Sequence, residues 1–152
     1  GQRNGGTMTA PNSEAVQKCI VDAMKHANIK SAEIDAINGH LTATIKDPLE
    51  IENWTKALGR SGQEFPLINS LKSMVGHCIA AAGAIEIVAT VLQLKHQFIF
   101  PNINCEEVHP DILKLISKEK IPTKNTLKKL HIIAKASFGF GDVNGCVIFK
   151  KY

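Results

Sequence analysis

Residues 69–96 read NSLKSMVGHCIAAAGAIEIVATVLQLKH, a polar segment followed by a long and almost wholly apolar one. Apolar residues occupy nearly every helical face from about Cys78 to His96, which predicts a helix buried on most sides. Lys72 and His77 lie just before its N-terminus. Unsatisfied backbone N–H groups and the macrodipole there disfavour a second proton on imidazole, so we expect His77 to be neutral. A neutral imidazole in an apolar site is a hydrogen-bond donor suited to a developing oxyanion.

Two other segments combine glycine with chemically useful side chains. Residues 38–44 read NGHLTAT and contain His40, and residues 137–141 read SFGFG and contain Phe138. Each of the three segments follows a predicted strand. Because ligands of α/β sheets bind beyond the carboxyl ends of the strands, we expect His40, His77 and Phe138 to meet in one site.

Helical and strand patterns alternate along the chain. A capping residue at Asn12 or Ser13 marks one helix start, and the sequence DPLE at 47–50, interpreted as a capping arrangement with proline at the first helical position, marks another. The predicted helices are 12–26, 47–58, 78–96 and 111–117, and the predicted strands are 34–37, 67–68, 98–100, 130–136 and 146–150, the last two joined by a hairpin loop at 139–141. This order predicts an α/β fold with a mostly parallel sheet covered on both faces.

Composition limits the class of protein. The chain has 152 residues, 44% of them hydrophobic and 21% charged, as is typical of one soluble globular domain. Its net charge of +4 is too small to indicate a nucleic-acid partner. The longest apolar run, Cys78–Val91, contains Glu86 and Thr90 and is too short to span a bilayer. No secretory signal is visible and the four cysteines form no CxxC pair, so we expect a cytoplasmic protein with free thiols and no membrane partner.

Two features leave alternatives open. Lysines gather late in the chain, and the cluster is either a solvated face or a docking patch for an acidic partner. Its members are Lys118, Lys120, Lys124, Lys128 and Lys129. At the other end, Gly5, Gly6, Pro11 and Asn12 are typical of a loop interior, which predicts that the sequence is the C-terminal part of something longer.

Three motifs, in order, resemble those of a known family. They are NGHLTAT at 38–44, NSLKSMVGH at 69–77 with AAGA at 81–84, and SFGFGDVNG at 137–145, together with PNIN at 101–104. The set resembles the C-terminal halves of β-ketoacyl-acyl-carrier-protein synthases, which are condensing enzymes of the thiolase superfamily. The resemblance implies that residues 1–152 form one domain, the C-terminal half of an αβαβα layered fold with a mostly parallel mixed sheet and a buried central helix. The family's N-terminal half, which carries the nucleophilic cysteine, is absent from this sequence.

The resemblance also implies a reaction, the decarboxylative Claisen condensation of fatty-acid or polyketide synthesis. An acyl group is held on a cysteine as a thioester, and a malonyl thioester loses carbon dioxide to give the enolate that attacks it. His40 and His77 match the family's two imidazole donors to the thioester oxygen. Lys72 matches the lysine that tunes these histidines.

Further expectations concern the substrates and partners. The family's pantetheine contacts fall on Thr42 and Thr44, and its acyl-pocket gate falls on Phe138, Gly139 and Phe140. No resident cofactor or metal is implied, because 4'-phosphopantetheine arrives on the carrier protein. The implied partners are an acyl carrier protein, the N-terminal half of the synthase, and a second synthase subunit in a homodimer or heterodimer.

Some positions depart from the family pattern. Leu41 and Asp142 replace glycines, Ala136 replaces asparagine and Val143 replaces threonine, whereas the polar set of His40, Lys72, His77, Thr42 and Thr44 is intact. We interpret this as subfamily variation. None of the four cysteines, Cys78 included, lies in the setting of the nucleophile, so we expect this chain to be inactive alone.

Two rival functions remain. One is a non-catalytic partner subunit of the chain-length-factor type, which the intact polar set disfavours. The other is a standalone scaffold that binds carrier protein. A degradative thiolase is disfavoured because Gly139–Gly145 contains no cysteine, and a zinc site at His40, His77 and Cys78 has no supporting ligand spacing.

Overall fold

The computed structural model describes residues 8–152; Gly5 and Gly6, part of the predicted N-terminal loop, lie outside that range. Within it the helices are α1 (Ser13–His26), α2 (Asp47–Leu58), α3 (Lys72–Val75), α4 (Ala82–His96) and α5 (Pro110–Leu115). The strands are β1 (Ala36–Asn38), β2 (Leu67–Asn69), β3 (Phe98–Ile99), β4 (Thr126–Leu127), β5 (Ile132–Gly139) and β6 (Val143–Lys150). Short 3₁₀ turns lie at Ser31–Glu33, Ile79–Ala81, Lys118–Lys120 and Phe140–Asp142.

The main sheet is mixed and mostly parallel, as predicted. Its strand order is β2-β1-β5-β6. Strand β1 runs parallel to both β2 and β5, and β6 returns antiparallel to β5 as the predicted hairpin. Since β1, β2 and β5 point the same way, their carboxyl ends meet at one edge. A separate antiparallel pair joins β3 to β4.

Both faces of the sheet are covered. On β1 and β5 alternate residues point to opposite sides, which is the period of an extended strand. Ile37 and Ala134 pack into a cluster with the α1 and α2 side chains, in which Trp54 is fully buried. Ala36 and Ile133 pack on the other side, together with Leu94 of α4 and two further aliphatic residues.

Local signals account for the helix boundaries. The Asn12 side chain accepts a hydrogen bond from the Ala15 N–H at 3.3 Å and so caps α1. Gly59 ends α2 with a φ of 62°, a conformation that glycine adopts without strain. The first predicted strand is shifted, since β1 occupies 36–38, and the last is longer, since β6 begins at Val143. The four-residue α3 and the two-residue β4 were not predicted because elements so short show no hydrophobic period.

The apolar segment after His77 differs from its prediction. A 3₁₀ turn at Ile79–Ala81 precedes α4, and α4 is buried on one face only. The prediction that it is buried on most sides is therefore not met within this chain. The inward face is partly polar and the outward face is aliphatic. The buried residues are Ala82, Glu86, Ala89, Thr90, Gln93 and Leu94, and the exposed apolar ones are Ile85, Val88, Val91 and Leu92.

This segment also bears on the prediction about membranes. By length and composition alone, Ile79–His96 is the one helical segment of the described chain that could cross a bilayer. The apolar run Cys78–Val91 is shorter than this segment, so the length predicted from the sequence was too small. The polar face of α4 is nonetheless fixed to the sheet, because Gln93 Oε1 accepts hydrogen bonds from Asn69 Nδ2 at 3.0 Å and from the Phe100 N–H at 2.9 Å. Such contacts are typical of a core helix.

Candidate active site

Three segments that follow parallel strands meet at one edge of the sheet, as predicted. His40 follows β1, His77 follows β2 and α3, and Phe138 lies near the end of β5. The ring centroids of His40 and His77 are 5.5 Å apart with an interplanar angle of 84°. The rings of His40 and Phe138 are 6.3 Å apart at 67°. Two imidazoles and an aromatic ring therefore share one small space.

The backbone of the His40 loop is held by Glu50 of α2. The N–H groups of His40 and Leu41 donate to Glu50 Oε1 and Oε2, both at 2.8 Å. The Trp54 indole N–H also donates to Oε1, at 3.4 Å. A Cβ at Gly39 would lie 3.0 Å from Glu50 Oε1, so this close approach favours glycine. Burial raises the pKa of Glu50 to about 7, although the two backbone N–H groups oppose that rise.

The helix α2 starts at DPLE with proline in its first turn, as predicted, but the interpretation of Asp47 and Glu50 as capping residues is wrong. Glu50 reaches the His40 loop instead of the start of α2, and no side chain caps that helix. Asp47 likewise turns to the preceding loop. Sequence reasoning missed the contact of Glu50 with His40, and its available signal was an acidic residue on the core side of an amphipathic helix.

His40 is half-buried and surrounded by positive charge. Its pKa is lowered to about 4, mainly by burial and also by the neighbouring Lys72, His77 and Lys135, whereas Glu86 opposes this change. At neutral pH this imidazole is therefore uncharged. An uncharged imidazole can donate a hydrogen bond without carrying a second proton.

His77 is held in a defined orientation by its neighbour. The Ile79 N–H lies at the start of the 3₁₀ turn and has no acceptor within that turn. It donates to His77 Nδ1 at 3.0 Å. A ring nitrogen that accepts a hydrogen bond carries no proton, so this geometry assigns the proton of the neutral ring to Nε2. The imidazole is exposed in this chain rather than enclosed in the apolar site that the sequence predicted.

Lys72 is buried and ion-paired. Its ammonium group contacts Glu86 Oε1 on α4, and Glu86 Oε2 contacts the ammonium group of Lys135 on β5. Sequence reasoning found Lys72 but missed Glu86 and Lys135. The available signals were a lone carboxylate within an apolar helix and a lysine within a buried strand. Burial lowers the pKa of Lys135, and its pairing with Glu86 opposes that change.

Thr42 and Thr44 lie on the loop between β1 and α2. The Asp47 carboxylate accepts backbone N–H groups from Thr42 at 3.1 Å, Ala43 at 3.0 Å and Thr44 at 3.3 Å, which fixes the loop. The two threonine hydroxyl oxygens are 3.4 Å apart. Thr42 is half-buried and Thr44 is exposed, so both hydroxyls lie within reach of a ligand.

The glycine-aromatic segment has more regular secondary structure than the predicted hairpin loop. Phe138 and Gly139 belong to β5, and Phe140 starts a 3₁₀ turn with 70% of its surface exposed. Asp142, which stands where the family has glycine, has a φ of 63° and is buried. One of its carboxylate oxygens accepts from Asn144 Nδ2 at 2.8 Å.

Two cavities open on either side of the Thr42–Asp47 loop. One, of about 510 Å³, is bordered by His40, Phe138 and Phe140. The other, of about 570 Å³, is bordered by Lys72, Ser70 and Cys105. Thr42, Thr44, Asp47 and His77 line both. The predicted site residues thus lie in or beside two adjoining spaces of ligand size.

The predicted lysine cluster and the cysteines differ in their distance from these cavities, and Cys105 borders the larger one. Lys128 and Lys129 precede β5, at the end opposite Phe138, whereas Lys118 lies close enough to Cys105 to affect its pKa. Burial raises the pKa of Cys19 and Cys105, and raises that of Cys146 to about 12. In the part of the chain that the structure describes, no three His, Cys, Asp or Glu side chains are grouped to hold a metal ion.

Comparison with known proteins shows to which family the chain belongs. The family described as β-ketoacyl synthase, C-terminal domain, matches residues 1–106. The chain is 35% identical over 150 residues to 3-oxoacyl-[acyl-carrier-protein] synthase 1 of Buchnera aphidicola, covering 98% of this chain and 35% of that protein. It is 33% identical over 149 residues to the synthase 1 of Escherichia coli K12, covering 97% of this chain and 34% of the relative.

Solved structures agree with this. The ishigamide ketosynthase/chain length factor superposes with a TM-score of 0.86 at 30% identity, covering 98% of this chain and 36% of that one. A ketosynthase solved in complex with its type II polyketide acyl-carrier protein gives a TM-score of 0.86 at 30% identity over 99% of this chain and 36% of that one. The chain belongs to the β-ketoacyl synthase family and has the thiolase-like fold of its C-terminal half. It spans about a third of the length of the curated relatives it matches.

Proposed function

We propose that this chain supplies the two-histidine part of the active site of a 3-oxoacyl-[acyl-carrier-protein] synthase. The observation that supports this most directly is the approach of His40 to His77, 5.5 Å between ring centroids, in a chain of the β-ketoacyl synthase family. The nucleophilic cysteine belongs to the N-terminal half of the synthase. The chain alone is then inactive, because it holds the donors but not the nucleophile.

The reaction proceeds through an enolate. The bond between the malonyl carboxylate and its α-carbon breaks, carbon dioxide leaves, and the electron pair passes to the thioester oxygen. His77 Nε2–H and the neutral His40 ring donate hydrogen bonds to that oxygen. Each such donor contributes about 2.7–4 kcal/mol to transition-state stabilisation. The enolate carbon then forms a bond to the acyl carbon on the cysteine, and the cysteine leaves as thiolate.

Lys72 supports this chemistry without taking a proton. Its buried ammonium group is among the charges that hold the pKa of His40 near 4. A protonated His40 would carry a positive charge that is costly beside Lys72, and the site would lose its neutral donor. Lys72 also places positive charge beside the developing enolate.

The two cavities suit a substrate that arrives on a long arm. The 4'-phosphopantetheine of a carrier protein enters beside Thr42 and Thr44, whose hydroxyls can bond its amides, and no resident cofactor is needed. Phe138, Gly139 and Phe140 border the acyl chain and gate its pocket. The partners are an acyl carrier protein, the N-terminal half and a second synthase subunit, in the cytoplasm.

The direct test is a condensation assay on the native-length protein with acyl and malonyl carrier proteins. We expect a 3-oxoacyl carrier protein by mass spectrometry, and iodoacetamide to block the reaction at a cysteine outside residues 1–152. A chain-length-factor partner would give no condensation without a separate synthase, and a scaffold would bind carrier protein with no turnover. Either result would contradict the proposal.

A further inference from the structure

One buried carboxylate in this site is shared by two lysines. Glu86 lies between the ammonium groups of Lys72 and Lys135, and the side chains of the three are 1%, 5% and 3% exposed, respectively. Within the described residues, neither lysine has an ion pair with any other carboxylate. The triad therefore buries two positive charges against one negative charge. An uncompensated buried charge is costly, so a role for the second lysine is expected.

The two lysines differ in how their donors are used. Lys135 Nζ contacts Glu86 Oε2, the Ala136 carbonyl oxygen at 2.5 Å and Ser137 Oγ at 2.7 Å. These three oxygens surround the Lys135 Nζ, so its N–H donors are directed at protein groups rather than at a substrate. Lys72 contacts Glu86 and borders the larger cavity. Both lysines therefore contact Glu86, but only Lys72 is among the residues that line the larger cavity.

We propose that Lys135 is a positioning residue of the condensing site: it holds Glu86 against the Lys72 ammonium and leaves the triad with one net positive charge, which disfavours a proton on His40. This inference rests on the proposed function for its catalytic meaning. The electrostatic effect on His40 can be measured with or without turnover.

The titratable groups around His40 belong to several elements of the fold. Lys72 of α3, the His77 ring and Lys135 of β5 disfavour protonation of His40, and Glu86 of α4 favours it. Glu50 of α2 contacts the backbone N–H of His40. Without the charge of Lys135, Lys72 and Glu86 form a neutral pair, and His40 then takes up a proton at higher pH.

The test compares Lys135→Gln with Lys135→Arg in the native-length protein. Glutamine can still donate to Glu86 but has no charge, and arginine keeps the charge. Lys150→Gln, an exposed lysine on the neighbouring strand β6, is the matched control. The readouts are the protonation midpoint of His40 by NMR with ¹³C-labelled histidine, and the acid limb of malonyl-carrier decarboxylation.

We expect the Lys135→Gln midpoint and acid limb to rise by less than about one pH unit, since Lys135 lowers the pKa of His40 less than burial, Lys72 or His77 does. Lys135→Arg and Lys150→Gln should leave both unchanged. An unchanged midpoint in Lys135→Gln, or an equal rise in Lys135→Arg, would overturn the proposal.

A measurement on the unsubstituted protein covers the case in which the variants do not fold. The ¹⁵N resonance of the Lys135 side chain should be that of an ammonium group at pH 7, and a neutral amine would overturn the proposal. If the unsubstituted protein releases no carbon dioxide from malonyl carrier protein, the proposed function fails. The histidine midpoint would still decide the role of Lys135.

Discussion

One carboxylate, that of Glu50, accepts the backbone N–H groups of both His40 and Leu41. Glu50→Gln should lower the free energy of unfolding by about 1–3 kcal/mol, because the amide NH₂ would face one of the two backbone N–H donors and leave it unpaired. Urea denaturation above pH 7, where the Glu50 carboxylate is ionised, measures this change. Glu52→Gln, which removes only an exposed ion pair with Lys56, should change it by less than about 1 kcal/mol. Equal effects of the two variants would contradict this role of Glu50.

His40 also gives the protein a pH dependence of stability. Its pKa falls from 6.5 to about 4 on folding, so the folded protein binds fewer protons than the unfolded chain between those values. This contribution to stability is fully present above pH 6.5 and is lost as the pH falls towards 4. In His40→Gln, the free energy of unfolding should therefore decline less over that range. The exposed control His26→Gln should decline as steeply as the unsubstituted protein. If the free energy of unfolding of His40→Gln declined equally steeply, the lowered pKa of His40 would be contradicted.

Helix α4 is joined to the sheet by polar contacts as well as by packing. Gln93 Oε1 accepts from the Asn69 side chain on β2 and from the Phe100 N–H after β3. Gln93→Leu leaves the Phe100 N–H without its acceptor and takes one of two acceptors from Asn69 Nδ2, which still donates to the Phe100 carbonyl oxygen. We therefore expect a loss of about 1–3 kcal/mol in the free energy of unfolding by urea denaturation. Gln63→Leu, at an exposed position, should change it little. A change below about 1 kcal/mol in Gln93→Leu would show that the donors find other partners.

Local patterns predicted the elements but not the contacts between them. The alternation of residues in 130–136 correctly predicted a strand, and the capping residue correctly predicted the start of α1. Both signals lie within one segment of the chain. The order of strands and glycine segments also placed His40, His77 and Phe138 at one edge. Glu50, Glu86 and Lys135 were missed, because each acts on a residue from another element. The burial of α4 was overestimated because its apolar residues were counted without knowing that Glu86 and Gln93 face inward.

The exposed apolar face of α4 affects how the whole molecule associates. Val88 and Val91 on this face are 60% and 46% exposed, and Ile79 in the preceding turn is 74% exposed. A contiguous apolar face of this kind is typical of an interface. We expect residues 1–152 expressed alone to self-associate, and the double variant Val88→Lys, Val91→Glu to be more monomeric in size-exclusion chromatography with light scattering. A monomeric, cooperatively folded fragment without these substitutions would contradict the expectation.

The same face has a second consequence in the native-length protein. If the N-terminal half of the proposed synthase covers this face, the double variant should destabilise the native-length protein while it reduces the self-association of residues 1–152 expressed alone. Leu127→Lys, at an 86% exposed position on β4, is the matched control and should change neither. Improvement of both proteins by the double variant would show that this face remains uncovered in the complete molecule.

In the proposed reaction His40 and His77 together stabilise the enolate. The measurement that tests it most directly is the release of labelled carbon dioxide from malonyl carrier protein by the native-length protein and its His40→Ala, His77→Ala and His26→Ala variants. We expect each of the first two to reduce the rate by about 10²–10³-fold, as for loss of an oxyanion donor, with His26→Ala unchanged. Undiminished release by either His40→Ala or His77→Ala would contradict the claim.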